Sequence, residues 1–203
     1  MYFKLRYIRP IAIGLISFAC VLGISNFKLA PSNQNALATE PPAQETATTL
    51  WTNGYFPVEN FQSYTSAFGY RRSPITGEVQ FHNGLDLAAP LGSYVRSWWG
   101  GKIVKVAQDS ACGTHVKVQS GSWEHVYCHL HGSVEKIDDK PTIVDREGGI
   151  RLALGQEIPT GTRIGRVGMT GRTTGPHLHW VVRHNGSYID PALIIQQMFK
   201  QKA

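Results

Sequence analysis

The stretch His177-Leu178-His179-Trp180-Val181-Val182-Arg183-His184-Asn185-Gly186-Ser187-Tyr188-Ile189-Asp190 decides how this chain folds. Asn185-Gly186 is the dipeptide best suited to the two left-handed residues of a tight hairpin turn. His177 to Arg183 and Tyr188-Ile189 on either side are expected as antiparallel partners. Asp190-Pro191 then offers an N-cap and a first helical position, so a short helix is expected over Ala192 to Lys200. Upstream the same grammar recurs, with short apolar runs broken by turns. Lys102 to Ala107 reads as a strand after Gly100-Gly101. His115 to Gln119 and Trp123 to His129 flank Ser120-Gly121-Ser122 as a second hairpin, and Ser73 to Gly77 is a turn. No other long amphipathic helix and no tandem repeat is visible. The fold class is mostly β, an antiparallel sheet with a short C-terminal helix. Residues 133 to 156 are more polar and less regular, and are expected as an excursion from the sheet. Its carboxylates Asp138, Asp139, Asp145 and Glu147 read either as a solvated loop or as cation ligands.

The first 30 residues are of a different kind. Lys4, Arg6 and Arg9 precede an apolar or small run from Ile11 to Ile24, the pattern of an export signal. Ala36-Leu37-Ala38 offers a small-residue cleavage site, although far from the end of that run. Residues 1–30 therefore read as a signal peptide or an uncleaved signal anchor. Ser17-Phe18-Ala19 before Cys20 supports lipidation only weakly. Residues 31–48, rich in Pro, Ala, Thr and Gln and without aromatics, read as a flexible linker. Residues 49–203 form the single folded domain. The formal net charge of +6 is no sign of nucleic-acid binding. Four of those charges lie on Lys4, Arg6, Arg9 and Lys28, and the remaining cations form no dense run. The expected location is outside the cytoplasm, in the periplasm or cell envelope, with membrane contact only through a retained N-terminal segment. In an exported chain Cys112 and Cys128 can form a disulfide or stand as two thiols.

Chemistry concentrates in three runs. In His82-Asn83-Gly84-Leu85-Asp86, residues 82, 84 and 86 share one face if the segment is extended, and Gly84 leaves room between two ligands. In His177-Leu178-His179 both imidazoles project one way while Leu178 points to the core. If the two runs pair, two imidazoles and a carboxylate converge and leave a coordination position open, the layout of a catalytic zinc site. In Tyr127-Cys128-His129-Leu130-His131, alternation puts Tyr127, His129 and His131 on one face. A histidine there could act as general base or stabilise oxyanion charge. His115, His125 and His184 read as surface or hydrogen-bonded histidines. Arg71, Arg72 and Arg172 read as solubilising charges or as contacts for substrate carboxylates. Trp98, Trp99 and Tyr70 read as core or as groove lining.

The segments 65–95 (TSAFGYRRSPITGEVQFHNGLDLAAPLGSYV), 126–132 (VYCHLHG) and 161–180 (GTRIGRVGMTGRTTGPHLHW) together resemble the lysostaphin-type zinc metalloendopeptidases, which cut peptide bonds in peptidoglycan. With Asp190-Pro191 the resemblance covers nearly all of residues 60–192. It implies an antiparallel β domain with an open substrate groove, the duplicated hybrid motif, and one Zn2+ per chain. By position His82, Asp86 and His179 match the family's metal ligands. His177 and His129 match its two catalytic histidines, which position and deprotonate the reacting water and stabilise the tetrahedral intermediate. The implied function is endopeptidase hydrolysis of stem peptides or cross-bridges, with peptidoglycan as partner and room for an activator protein. The competing reading is a non-catalytic envelope protein of the same fold that binds peptidoglycan or activates an amidase. Three stretches depart from the family pattern: the 97–101 turn, the long 133–156 connection, and Val181 where an acidic residue often stands.

Overall fold

The structure, a computed structural model, describes residues 54–200. The expected signal segment, the linker and the first residues of the domain lie outside them. In chain order the strands are β1 (Ser63–Ser66), β2 (Gly69–Arg72), β3 (Val79–His82), β4 (Leu85–Ala88), β5 (Tyr94–Arg96), β6 (Gly101–Asp109), β7 (Gly113–Ser120) and β8 (Trp123–Leu130). They continue as β9 (Ser133–Ile137), β10 (Lys140–Asp145), β11 (Ile150–Ala153), β12 (Glu157–Ile158), β13 (Arg163–Arg166), β14 (His177–His184) and β15 (Ser187–Ile189), and end in helix α1 (Pro191–Lys200). One large antiparallel sheet runs β1-β4-β14-β8-β7-β6-β12, with β15 beside β14.

The expected hairpins form. His184 pairs with Ser187 across Asn185-Gly186, whose φ values of 48° and 80° are those the two-residue turn requires. Ser120 pairs with Trp123 across Gly121-Ser122. Along β14 the alternation holds: Leu178 and Trp180 are fully buried, while His177 and His179 face the other way, partly exposed. Burying each of those apolar side chains stabilises the sheet by about 1.5–3 kcal/mol. Helix α1 begins where expected. The Asp190 carboxylate accepts from the Ala192 amide at 2.9 Å, and Pro191, Ile194, Ile195 and Met198, at i, i+3, i+4 and i+7, are its buried face.

Two expectations are corrected. Residues 133–156 are not an irregular excursion but the three-stranded sheet β11-β10-β9. Ile143, Ile150 and Leu152 form its buried side. The charged residues between them raise the average polarity and hide the period-two pattern. Asp138 and Asp139, with φ of 49° and 61°, make its first turn. Asp145 is buried and holds Arg166 through two hydrogen bonds of 2.6 and 2.7 Å, so its charge is satisfied within the fold. Secondly, residues 82 to 86 are not one extended strand. β3 ends at His82 in a separate two-stranded sheet with β2, and β4 starts at Leu85 in the main sheet.

Candidate metal centre and active-site cleft

The main sheet brings two of the three expected ligands together directly. Asp86 on β4 and His179 on β14 are register partners, and side chains at such positions are neighbours across the ladder. His82 arrives from β3, across the Asn83-Gly84 step between the two sheets. His82 Nε2 lies 3.0 Å from His179 Nδ1 and 3.2 Å from Asp86 Oδ1, and His179 Nδ1 lies 2.7 Å from Asp86 Oδ1. Among the described residues this is the sole group of three or more His, Cys, Asp or Glu side chains with metal-holding geometry.

The outer partners of each imidazole decide what these close approaches mean. His82 Nδ1 is 2.8 Å from the Ala67 carbonyl, which can only accept, so Nδ1 carries the proton and Nε2 presents a lone pair. His179 Nε2 is 3.2 Å from Asn83 Oδ1 and donates to it, which leaves a lone pair on Nδ1. Burial, the largest influence on His179, pushes its pKa down and favours that neutral form. The Asp86 carboxylate, which when ionised can only accept, is the third member of the set. Three acceptors therefore meet with no proton between them. Such a set is repulsive unless a cation sits at its centre, and two nitrogens with one carboxylate oxygen are donors suited to zinc. The hydrogen bonds that His82 and His179 donate to Ala67 and Asn83 fix tautomer and ring orientation, as outer partners of metal-bound histidines do.

Gly84 has a different role from the one expected. It makes room for His179 rather than for the metal. A Cβ there would lie 2.7 Å from His179 Cε1 and 2.6 Å from the Trp180 carbonyl.

His129 reaches the site by a device that alternation does not foresee. Thr114 pairs with Leu130 and Val116 with Tyr127, so β8 carries one extra residue, and His129 has a φ of 60°. This bulge turns His129 away from the strand's regular alternation, a use bulges often serve beside active sites. The expectation that Tyr127, His129 and His131 share a face is thereby corrected. Tyr127 lies in the core, and His131 lies 3.4 Å from Asp145, by Arg166. Cys112 and Cys128 form a disulfide next to the bulge, and the His129 amide donates to the Cys112 carbonyl at 2.8 Å.

His129 Nδ1 donates to the Thr170 carbonyl at 2.9 Å, and His177 Nδ1 donates to the Gly175 carbonyl at 2.8 Å. In the neutral imidazole each therefore carries its proton on Nδ1 and turns Nε2 to the cleft as an acceptor. The two rings lie 4.8 Å apart, with His177 Nε2 3.6 Å from Asp86 Oδ1. Burial brings His129 down to about 4, so it is neutral at pH 7.

All five residues line one cleft of about 380 Å³, with Arg71, Asn83, Arg172, Thr173 and Tyr188 among its other walls. Arg172 is exposed there. Asn83 and Tyr188, joined by a 3.3 Å hydrogen bond, were not foreseen. Their clue was position, one beside a ligand and the other just after the hairpin turn. A larger concavity of about 480 Å³ lies against Trp98, Trp99 and Trp123, but holds Glu157 as its sole acid and no histidine. Trp98 is core, and Tyr70 is exposed outside the cleft.

This fold and site are those of a metallopeptidase class, and residues 80–191 match Peptidase family M23. The chain belongs to that family, and the matched span contains all five residues. It is 35% identical over 130 residues to the peptidoglycan DD-endopeptidase ShyB of Vibrio cholerae, covering 63% of this chain and 26% of that protein. Among solved structures it resembles a zinc-containing peptidase from Vibrio cholerae (31% identity, TM-score 0.53, 70% of this chain and 38% of that one). The catalytic domain of lysostaphin from Staphylococcus simulans shares the fold (23% identity, TM-score 0.50, 66% of this chain and 92% of that one). The chain spans less than a third of the length of the curated relatives it matches.

Proposed function

We propose that this chain is a zinc-dependent endopeptidase that hydrolyses amide bonds in the peptides of peptidoglycan. The observation that carries the reading is the meeting of three lone pairs, from His82, His179 and Asp86, beside two further histidines whose Nε2 atoms are also free. The endopeptidase and zinc-containing relatives support it. Bound zinc supplies Lewis acidity towards an amide oxygen and lowers the pKa of water towards ~7.

The chain's own residues do the rest. The Ala67 carbonyl and Asn83 hold the ligand imidazoles in the tautomers that face inward. His129 and His177, each anchored through Nδ1 on a carbonyl, present Nε2 to the cleft. One accepts a proton from the attacking water and returns it to the leaving amine. The other, in the imidazolium form that takes its proton from solvent, would donate to the oxygen that gains charge. Keeping these two histidines would serve no purpose in a protein that only bound peptidoglycan or activated an amidase.

The same reading places the chain outside the cytoplasm, carried there by residues 1–30 with residues 31–48 as tether, because its substrate lies there. A disulfide between Cys112 and Cys128 suits that compartment. The test is digestion of purified peptidoglycan by the full chain, with released peptides identified by mass spectrometry. Cleavage that stops with chelator and returns with zinc is the expected result. Intact peptidoglycan from a zinc-loaded, folded chain would count against an enzyme acting alone and point to a required activator or a binding role.

A further inference from the structure

Arg71 stands on β2 and lines the cleft beside Asp86. Its side chain is only 22% exposed, yet its donors are almost idle. Nη1 donates to the Arg72 carbonyl at 3.3 Å, and Nε is buried with no partner. Nη2 lies 3.9 Å from Asp86 Oδ2, beyond hydrogen-bond reach. A guanidinium carries five N–H donors, and leaving the buried Nε–H without a partner costs free energy that a ligand could recover.

The surroundings sharpen the point. Asp86 is the one carboxylate among the described residues of the cleft wall, and its Oδ1 is committed to His82 and His179. Arg172 adds a second exposed cation to the same wall. With Asp86 directed at the metal position, the cleft offers two guanidinium groups and no free counter-charge. A carboxylate matches the planar fork of an arginine by two parallel hydrogen bonds.

We propose that Arg71 is a specificity residue that binds a free carboxylate of the substrate within one residue of the scissile amide, so that the cleft selects acidic peptides over their amidated counterparts. This rests on the hydrolase reading above and names its substrate class. The test uses the zinc-loaded full chain and matched cross-linked peptides, with the flanking carboxylates either free or converted to primary amides. The acid form is expected to be cut with a kcat/KM about 10- to 100-fold higher, mainly through KM, as for a hydrogen-bonded charged pair. Arg71→Gln should lose that advantage, so that the ratio of kcat/KM between the acid and amide forms falls to about one. Arg71→Lys, which keeps the charge without the fork, should retain part of it.

Calorimetric binding of the cleaved acid and amide peptides gives a readout that needs no turnover, and the same preference is expected there. Equal cutting of both forms by the unaltered chain would overturn the proposal. So would an Arg71→Gln chain that slows both forms alike, since Arg71 would then act only by supporting Asp86. If neither peptide is cut, the hydrolase reading fails first. Equal binding of acid and amide would then dispose of the carboxylate subsite as well.

Discussion

Two polar clusters of the same domain, each built around histidine, end in opposite ways. At one end of the β7–β8 hairpin, Ser120, His125 and Tyr127 form a closed chain. Ser120 Oγ donates to the Gly100 carbonyl at 2.7 Å and accepts from His125 Nε2 at 2.9 Å. His125 Nδ1 accepts from the Tyr127 hydroxyl at 2.7 Å, and that oxygen accepts from the Trp98 amide at 2.7 Å. Every donor has an acceptor, and burial pushes His125 down to about 3. In the cleft, His82, His179 and Asp86, from β3, β14 and β4, bring three acceptors together with no donor between them. Buried polar groups that satisfy one another hold a fold. A set that cannot satisfy itself asks for something from outside. Burial and proximity alone would not have told the clusters apart, but the direction of each proton does.

The contrast makes its strongest prediction at His179. His179→Ala should lower hydrolysis by ~10³-fold or more while leaving the denaturation midpoint of the metal-free chain unchanged or raised, since one crowded acceptor is gone. A variant that unfolded instead would put His179 in the structural class. Gly84→Ala follows, because its Cβ displaces the ring of His179 without touching a ligand atom. Zinc affinity should fall about 10- to 100-fold, as when an outer support of a metal ligand is lost, and a chelator competition assay would read the change.

At the closed cluster the signs reverse. Tyr127→Phe leaves the Trp98 amide and His125 Nδ1 without partners in the core. It should cost about 2 kcal/mol in denaturant unfolding, with the folded enzyme's rate kept within about twofold.

The same cluster also predicts a pH dependence. The unfolded chain protonates His125 near pH 6.5, whereas the folded chain resists until about pH 3. Between those values the unfolded state binds more protons, so stability is lost as pH falls. His125 alone contributes a slope of about 1.4 kcal/mol per pH unit in that window. His129, brought down to about 4, acts in the same direction over the upper part of it. Unfolding curves from pH 7 to 4.5 should show the slope in the unaltered chain, and His125→Gln should show it reduced.

Much of this was legible in the sequence, for reasons that differ by residue. The Asn185-Gly186 turn, the Asp190-Pro191 helix start and the His177-Leu178-His179 alternation are local signals, and each formed as read. His82 and Asp86 were found for a partly mistaken reason. They converge because two strands of different sheets meet at Asn83-Gly84, not because one strand presents both. The aim of His129 depends on a bulge defined only against its partner strand, so a single run of residues could not reveal it. The β9–β11 sheet was missed because its outward residues are charged and its first turn is Asp138-Asp139 rather than a glycine-bearing pair. Protonation direction at His82, His129 and His177 was out of reach, since it is set by the backbone carbonyls of Ala67, Thr170 and Gly175, which no side chain announces.

The central claim is that three converging lone pairs define a zinc site. The most direct measurement is the metal content of the purified full chain by atomic emission after zinc loading and dialysis, beside His82→Ala and Asp86→Ala. The account expects one zinc per unaltered chain and a loss of bound metal in both variants, with their folds intact. Zinc retained in full by either variant, or absent from the folded unaltered chain, would contradict it.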